Sequence, residues 1–332
     1  MNLPQTDRSG QRGRSEPRKR RLRLKIFGSG KASKKNPAAW LVLATYLLLL
    51  LSRLLDVVLL SRDNEYLFVM ILQIMIFFIP AALYIRLRGL TAAGLRLRIP
   101  GLPHILLILS AALALITGSF LLGMLLGGVD SMPGSFSLYD TFISKHNRGI
   151  ANTLYLIVAY AAMPAACEEL VFRSVLCAEY ERGGLLCALF FSSFFFGLLH
   201  FDLGLLPVYI YAGALLALTM YVARSVVAAM AVHFLHNLFG LFSQPYLTTF
   251  CRTTGSPGLF VIILVALLLL SVAVFCGQAG RLLRRYSELN MAPEYHTGLT
   301  AGQTLASFES AIRSLPAVLC IVLYIATIII SR

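Results

Sequence analysis

The sequence predicts an all-α, polytopic membrane helix bundle of about eight to nine transmembrane helices. Of its 332 residues, 58% are hydrophobic and 13% charged, with a mean hydropathy of +0.77; a soluble globular domain carries about 25% charged residues. The apolar residues gather in blocks near the ~17 to 25 residues that a helix needs to cross a bilayer core. These blocks are unbroken runs of Leu, Ile, Val, Ala and Phe. Strands of a membrane barrel would instead be ~10 residues long and alternate with a period of two.

Residues 1–36 come first, as a basic, disordered cytoplasmic tail holding 12 of the 29 Lys and Arg against two acids, Asp7 and Glu16. Its densest stretch, Arg18 to Lys25, lies just ahead of a membrane helix. That placement marks a contact for anionic lipids and a topology anchor rather than a nucleic-acid site. Residues 37–149 then hold three spans, at 38–60, 66–85 and 103–127. Residues 150–243 hold four more, at 150–176, 184–200, 204–223 and 225–243, and form the chemical core. The last region, 244–332, contributes spans at 257–279 and 316–331, separated by a cytoplasmic connection at 281–314 that is helical and interfacial at its start.

With the tail in the cytoplasm, nine alternating spans leave 22 Lys and Arg inside and five outside, Arg53 and Arg173 lying within the first and fourth spans. The orientation expected is therefore a cytoplasmic N-terminus. The basic tail and the absence of organelle signals fit an integral protein of a bacterial plasma membrane. Two lookalikes in the tail carry no weight. The run Arg18 to Lys25 faintly resembles a twin-arginine signal, but the apolar block after it has no small-residue cleavage site. Gly28-Ser29-Gly30-Lys31 lacks the leading Gly, the final Ser or Thr and the preceding strand of a phosphate loop. Six cysteines without CxxC spacing suggest small hydrophobes rather than a disulfide or zinc framework.

Against this apolar background stand Glu168, Glu169 and Arg173 in the fourth span, His200 closing the fifth, and His233 with Asn237 in the seventh. An ionisable residue inside a membrane segment costs at least about 2.5 kcal/mol, so a group of them marks a functional site by default. Glu169 and Arg173, four apart with the acid first, share a helix face in the favourable order for an ion pair. Glu168 points about 100° away and has no partner on its own helix, which suits it to acid–base work. The bland alternative has both acids at a helix end, facing water. His233 and Asn237 are also four apart and share a face. His236 could reach that face too, on spacing alone. His104, His146 and His296 read as bland, and Arg53 with Asp56 as a neutralising pair within the first helix.

In order, these residues resemble the CPBP intramembrane proteases, the CAAX proteases and bacteriocin-processing enzymes that include the type II CAAX prenyl endopeptidases. The family's EExxxR is matched by Glu168, Glu169 and Arg173, its FxxxH by Phe196 and His200, and its HxxxN by His233 and Asn237. The resemblance covers residues 150–243. It implies hydrolysis of peptide bonds in membrane-embedded or lipidated peptide substrates. By analogy, Glu168 activates a water with help from His200, His233 and Asn237 stabilise the oxyanion, and Glu169 with Arg173 holds the geometry. The family has also been described as metalloproteases, in which case Glu168, His200 and His233 would hold zinc. There is no HExxH, so the sequence leaves open a zinc-held water and a metal-free Glu-His water.

Two rivals stand beside the endopeptidase. A proton- or cation-coupled transporter could use Glu168, His200 and His233 as a relay. It would favour paired broken helices, whereas Pro164 and Gly197 are single interruptions. The other rival is a catalytically inactive scaffold or immunity protein.

Overall fold

Each of the nine apolar blocks is a helix in the computed structural model, which describes residues 37–59, 65–127, 150–292 and 298–330. No strand occurs among the described residues. The tail 1–36, His146 and His296 lie outside them, as does the side chain of Asp56. In chain order the helices are α1 (Ala38–Leu59), α2 (65–88), α3 (Ile105–Gly127), α4 (150–180), α5 (Leu185–Leu199), α6 (Leu206–Ala223), α7 (Val226–Phe242), α8 (Gln244–Thr254), α9 (Pro257–Glu288), α10 (Ala301–Ile312) and α11 (Leu315–Ile330).

Among the described residues, five spans are long and apolar enough to cross a membrane: Leu67–Arg88, Leu102–Gly127, Ile150–Gly183, Leu206–Ala223 and Gly258–Glu288. A sixth results if α10 and α11, bent by 57°, form one broken span. Helices α5 and α7 are equally apolar but have only 15 and 17 residues, or roughly 22 to 26 Å at 1.5 Å per residue, short of a ~30 Å core. Hydropathy does not separate a buried core helix from a spanning one. Large apolar side chains such as Leu125 (79% exposed) and Leu186 (72%) face outward, as an integral membrane protein requires.

The connection 281–314 turned out to contain two helical parts. Helix α9 continues through it to Glu288, and α10 starts from a reciprocal cap in which Thr300 and Gln303 satisfy each other's backbone N–H. Phe308 then fixes α10 to α5, 4.6 Å from the ring of Phe190 and 4.9 Å from that of Phe191.

Both α2 and α4 widen into a π-helical turn just before a proline. Ile74–Phe78 precedes Pro80, and Val158–Ala162 precedes Pro164. Proline supplies no N–H and its ring crowds the carbonyl four residues back, so a wider turn absorbs the defect without breaking the helix. In α4 a second π-helical stretch, Leu170–Leu176, begins directly after Glu169. The two glutamates therefore sit between two widened turns.

Helix α3 packs against α9, α6 and α7; α5 lies on α6, and α7 faces α4. At one end of the bundle the loop after α2 joins the helices that carry the chemistry. Ser174 of α4 donates to the Leu95 carbonyl (2.6 Å), Val226 N–H of α7 donates to the Arg96 carbonyl (3.0 Å), and Ser225, which caps α7, donates to the Arg98 carbonyl. Arg96 Nη2 reaches Glu181 Oε2 at 2.7 Å, and Tyr221 donates to the same oxygen. This strap sets the register of α4 against α7.

Candidate active site

The predicted pair is present: Arg173 Nη1 donates to Glu169 Oε1 at 2.8 Å, and both side chains are fully buried. The same oxygen accepts from His233 Nδ1 at 2.9 Å. The sequence did not show that His233 would lie on Glu169, because the contact depends on how α7 is turned against α4. Arg173 is held further by its Nη2 bond to the Gly213 carbonyl (3.4 Å) and by the Phe196 ring, whose centre is 4.2 Å from the guanidinium carbon. Glu169 Oε2 and Arg173 Nε have no hydrogen-bond partner among the described residues. The pair is therefore single-pronged, and Phe196 supplies part of the cation's support.

Phe196 is the hub of the site. Its ring meets Phe172, His200 and His233 in edge contacts at 5.4, 4.9 and 5.9 Å. Its carbonyl accepts from His200 Nδ1 at 2.9 Å. The end of α5 explains why that carbonyl is open. The His200 backbone N–H turns to Gly197 instead, leaving Phe196 among the last carbonyls of a helix without an intrahelical partner. A carbonyl only accepts, so His200 carries its hydrogen on Nδ1, and Nε2, when neutral, presents a lone pair.

Glu168 is buried, at 9% exposed, and makes no hydrogen bond among the described residues. It lies within electrostatic range of His233, Glu169 and Arg173; His233 and Arg173 bear on His200 as well. Asn237 and His236 are half-buried neighbours whose side chains meet at 3.5 Å. Of the six residues the sequence singled out, Glu169, Arg173 and His233 are bonded directly, Glu168 and His200 flank them, and Asn237 stands one turn beyond His233 on α7.

The zinc set implied by the resemblance can be tested against these positions. Among the described residues, no three His, Cys, Asp or Glu side chains converge closely enough to hold a metal ion. Glu168, His200 and His233 as placed are not a ligand set. His104 bonds Tyr286 (3.0 Å) and the Gly101 carbonyl, and Cys167, Cys177, Cys187, Cys276 and Cys320 are free thiols. Arg53 lies over the Phe201 ring at 5.2 Å.

Two contributors escaped the sequence reading. Gly213 offers its carbonyl to Arg173, and Tyr209 stacks on His200 with ring centres 3.8 Å apart and planes 13° apart. An aromatic or a glycine in a membrane helix reads as packing, and nothing in their spacing sets these two apart. Gly213 is also where α6 meets α5. A Cβ there would fall 2.7 Å from Ser193 Cα and 3.2 Å from its carbonyl oxygen. Small residues let membrane helices approach this closely. Gly213→Ala must push the two backbones apart, so we expect a loss of about 1 to 3 kcal/mol with reduced activity, measured as the thermal unfolding midpoint in detergent. An unchanged midpoint would refute the close approach.

Residues 150–239 match the family model of the Type II CAAX prenyl endopeptidase Rce1-like proteins. No curated protein and no solved structure matches the chain significantly. All six site residues fall inside the matched segment, together with Phe196, Tyr209 and Gly213. The match over residues 150–239 is consistent with the CPBP family and supports an intramembrane endopeptidase in general, and with the long apolar helices it supports an integral membrane protein.

Proposed function

We propose that the chain hydrolyses peptide bonds in membrane-associated or lipidated peptides, prenylated C-terminal CAAX segments among them, using a water held by Glu168 and His200. The observation that carries this reading is the division between two adjacent acids. Glu169 is consumed by Arg173 and His233, while Glu168, also buried, has no hydrogen-bonded partner among the described residues.

Glu168 and His200 Nε2 are both acceptors, so they can receive the two O–H bonds of one water. As the water oxygen attacks the carbonyl carbon, Glu168 takes its proton. The oxygen of the tetrahedral intermediate is met by the Asn237 amide and by His233 Nε2–H. Because Nδ1 of His233 donates to Glu169, a donating Nε2 means a doubly protonated ring, and the Glu169 carboxylate compensates that charge. Glu168 then returns the proton to the leaving nitrogen, the C–N bond breaks, and a carboxylic acid and an amine result. The tail 1–36 contacts anionic lipids in this reading, with the N-terminus cytoplasmic in a bacterial plasma membrane.

The test uses the full chain in liposomes with an internally quenched peptide bearing a farnesyl cysteine three residues from its C-terminus, beside the same peptide without the lipid. Cleavage of the farnesylated peptide, located by mass, is expected. Ion flux across the liposomes without cleavage of either peptide would replace this reading with the transporter. A chelator arm separates the two waters. Unchanged activity after metal depletion is the result expected of a Glu168–His200 water; loss that zinc restores would place the water on a metal.

A further inference from the structure

Tyr209 is a residue that neither the motifs nor the family match assigns. His200 stands at the end of α5, past its last helical residue, and the next residue, Phe201, has a left-handed backbone (φ +50). The helix therefore gives His200 little support, and its side chain must be placed from outside. One hydrogen bond, Nδ1 to the Phe196 carbonyl, fixes one atom of the ring but leaves the ring free to swing about that bond.

The remaining freedom is taken up by two aromatic rings. Phe196 closes one side edge-on at 4.9 Å, with planes at 65°, and Tyr209 covers a face at 3.8 Å, nearly parallel. Tyr209 lies in the first turn of α6, and Gly197 lets that turn come near enough. A Cβ on Gly197 would fall 2.9 Å from Ile210 Cγ1 and 3.0 Å from Leu206 Cδ1. The groups whose charge bears on His200 are His233, Arg173 and Asp202. Two of them, a cation and a histidine proposed to become one, oppose a positive charge on His200, and the Asp202 carboxylate favours it. The Tyr209 ring face stacked on the imidazole adds to that support, because an aromatic face stabilises a cation.

We infer that Tyr209 is a positioning residue for His200: its stacked ring aims Nε2 at the water and supports the imidazole whenever it carries a proton. The inference rests on the reading of His200 as an acceptor for the attacking water. It needs the ring and not the hydroxyl, so phenylalanine should serve.

The test compares the full-length wild type with Tyr209→Phe, Tyr209→Leu and Tyr209→Met in detergent micelles, with Glu168→Gln as the blank. Met fills space without a ring face and stands in should the Leu variant fail to fold. With the farnesylated quenched peptide, we expect Leu and Met to lower kcat by ~10-fold or more with KM changed less than ~2-fold, and Phe to match wild type. A merely structural role would lower folded yield or raise KM instead. A second arm needs no substrate: 15N-histidine NMR, with His200 assigned by His200→Gln, should show a single sharp set of His200 ring signals in wild type and Phe, and broadened or multiple sets in Leu and Met, where the ring swings about its Nδ1 hydrogen bond. Wild-type kcat and a single sharp set of His200 ring signals in a folded Leu or Met variant would overturn the inference. If wild type is no better than the Glu168→Gln blank, the proposed hydrolysis has failed instead, and the NMR arm still decides Tyr209.

Discussion

Arg173→Ala is expected to abolish the folded protein at the temperatures where wild type is stable. Arg173 is fully buried and holds three groups at once: Glu169 at 2.8 Å, the Gly213 carbonyl and the face of Phe196. Removing one partner of a buried ion pair costs about 3 to 5 kcal/mol, because the other charge stays behind unpaired. Here Glu169 would keep only His233, at 2.9 Å. Glu169→Ala should be comparably severe, leaving Arg173 without its anion. Arg173→Lys keeps the charge but loses the planar group that rests on Phe196, so its stability should fall between the two. Thermal unfolding in detergent checks the series. Equal midpoints for wild type and Arg173→Ala would mean that the pair does not hold the site together.

Glu168→Gln should do the reverse: a folded protein that no longer cleaves. The substitution is nearly isosteric and removes no hydrogen bond made among the described residues, so the unfolding midpoint should stay close to wild type. Glutamine cannot take a proton from water, and the loss of a general base lowers the rate about 100- to 10,000-fold. The contrast between neighbouring acids is the informative part. Glu169 is expected to govern stability and Glu168 turnover, and a rate assay beside a melting curve separates them. Normal turnover by Glu168→Gln would remove Glu168 from the chemistry.

What could be read in advance follows from how local each feature is. The nine helices follow from unbroken apolar runs, and the Glu169–Arg173 pair from a four-residue spacing; neither needs knowledge of a neighbouring helix. The number of spans was less legible than the helices themselves: α5 and α7 read as spans from their apolar runs, and at 15 and 17 residues they are shorter than the length that crosses a bilayer core. Helices α8 and α10 were missed because polar residues interrupt both. The bond from His233 to Glu169 rather than Glu168 depends on the rotation of α7 against α4, which the strap at Leu95, Arg96 and Arg98 helps to set through backbone carbonyls that carry no sequence signature. Tyr209 was hidden for the same reason, because its meaning lies in the helix beside it.

The central claim is that Glu168 makes this bundle a peptidase. The measurement that reaches it most directly compares the peptide termini in membranes of cells making wild type with those of cells making Glu168→Gln at equal folded levels. New termini present only with wild type, enriched in membrane-associated or lipidated proteins, are the predicted result. Identical sets of termini from the two would contradict it.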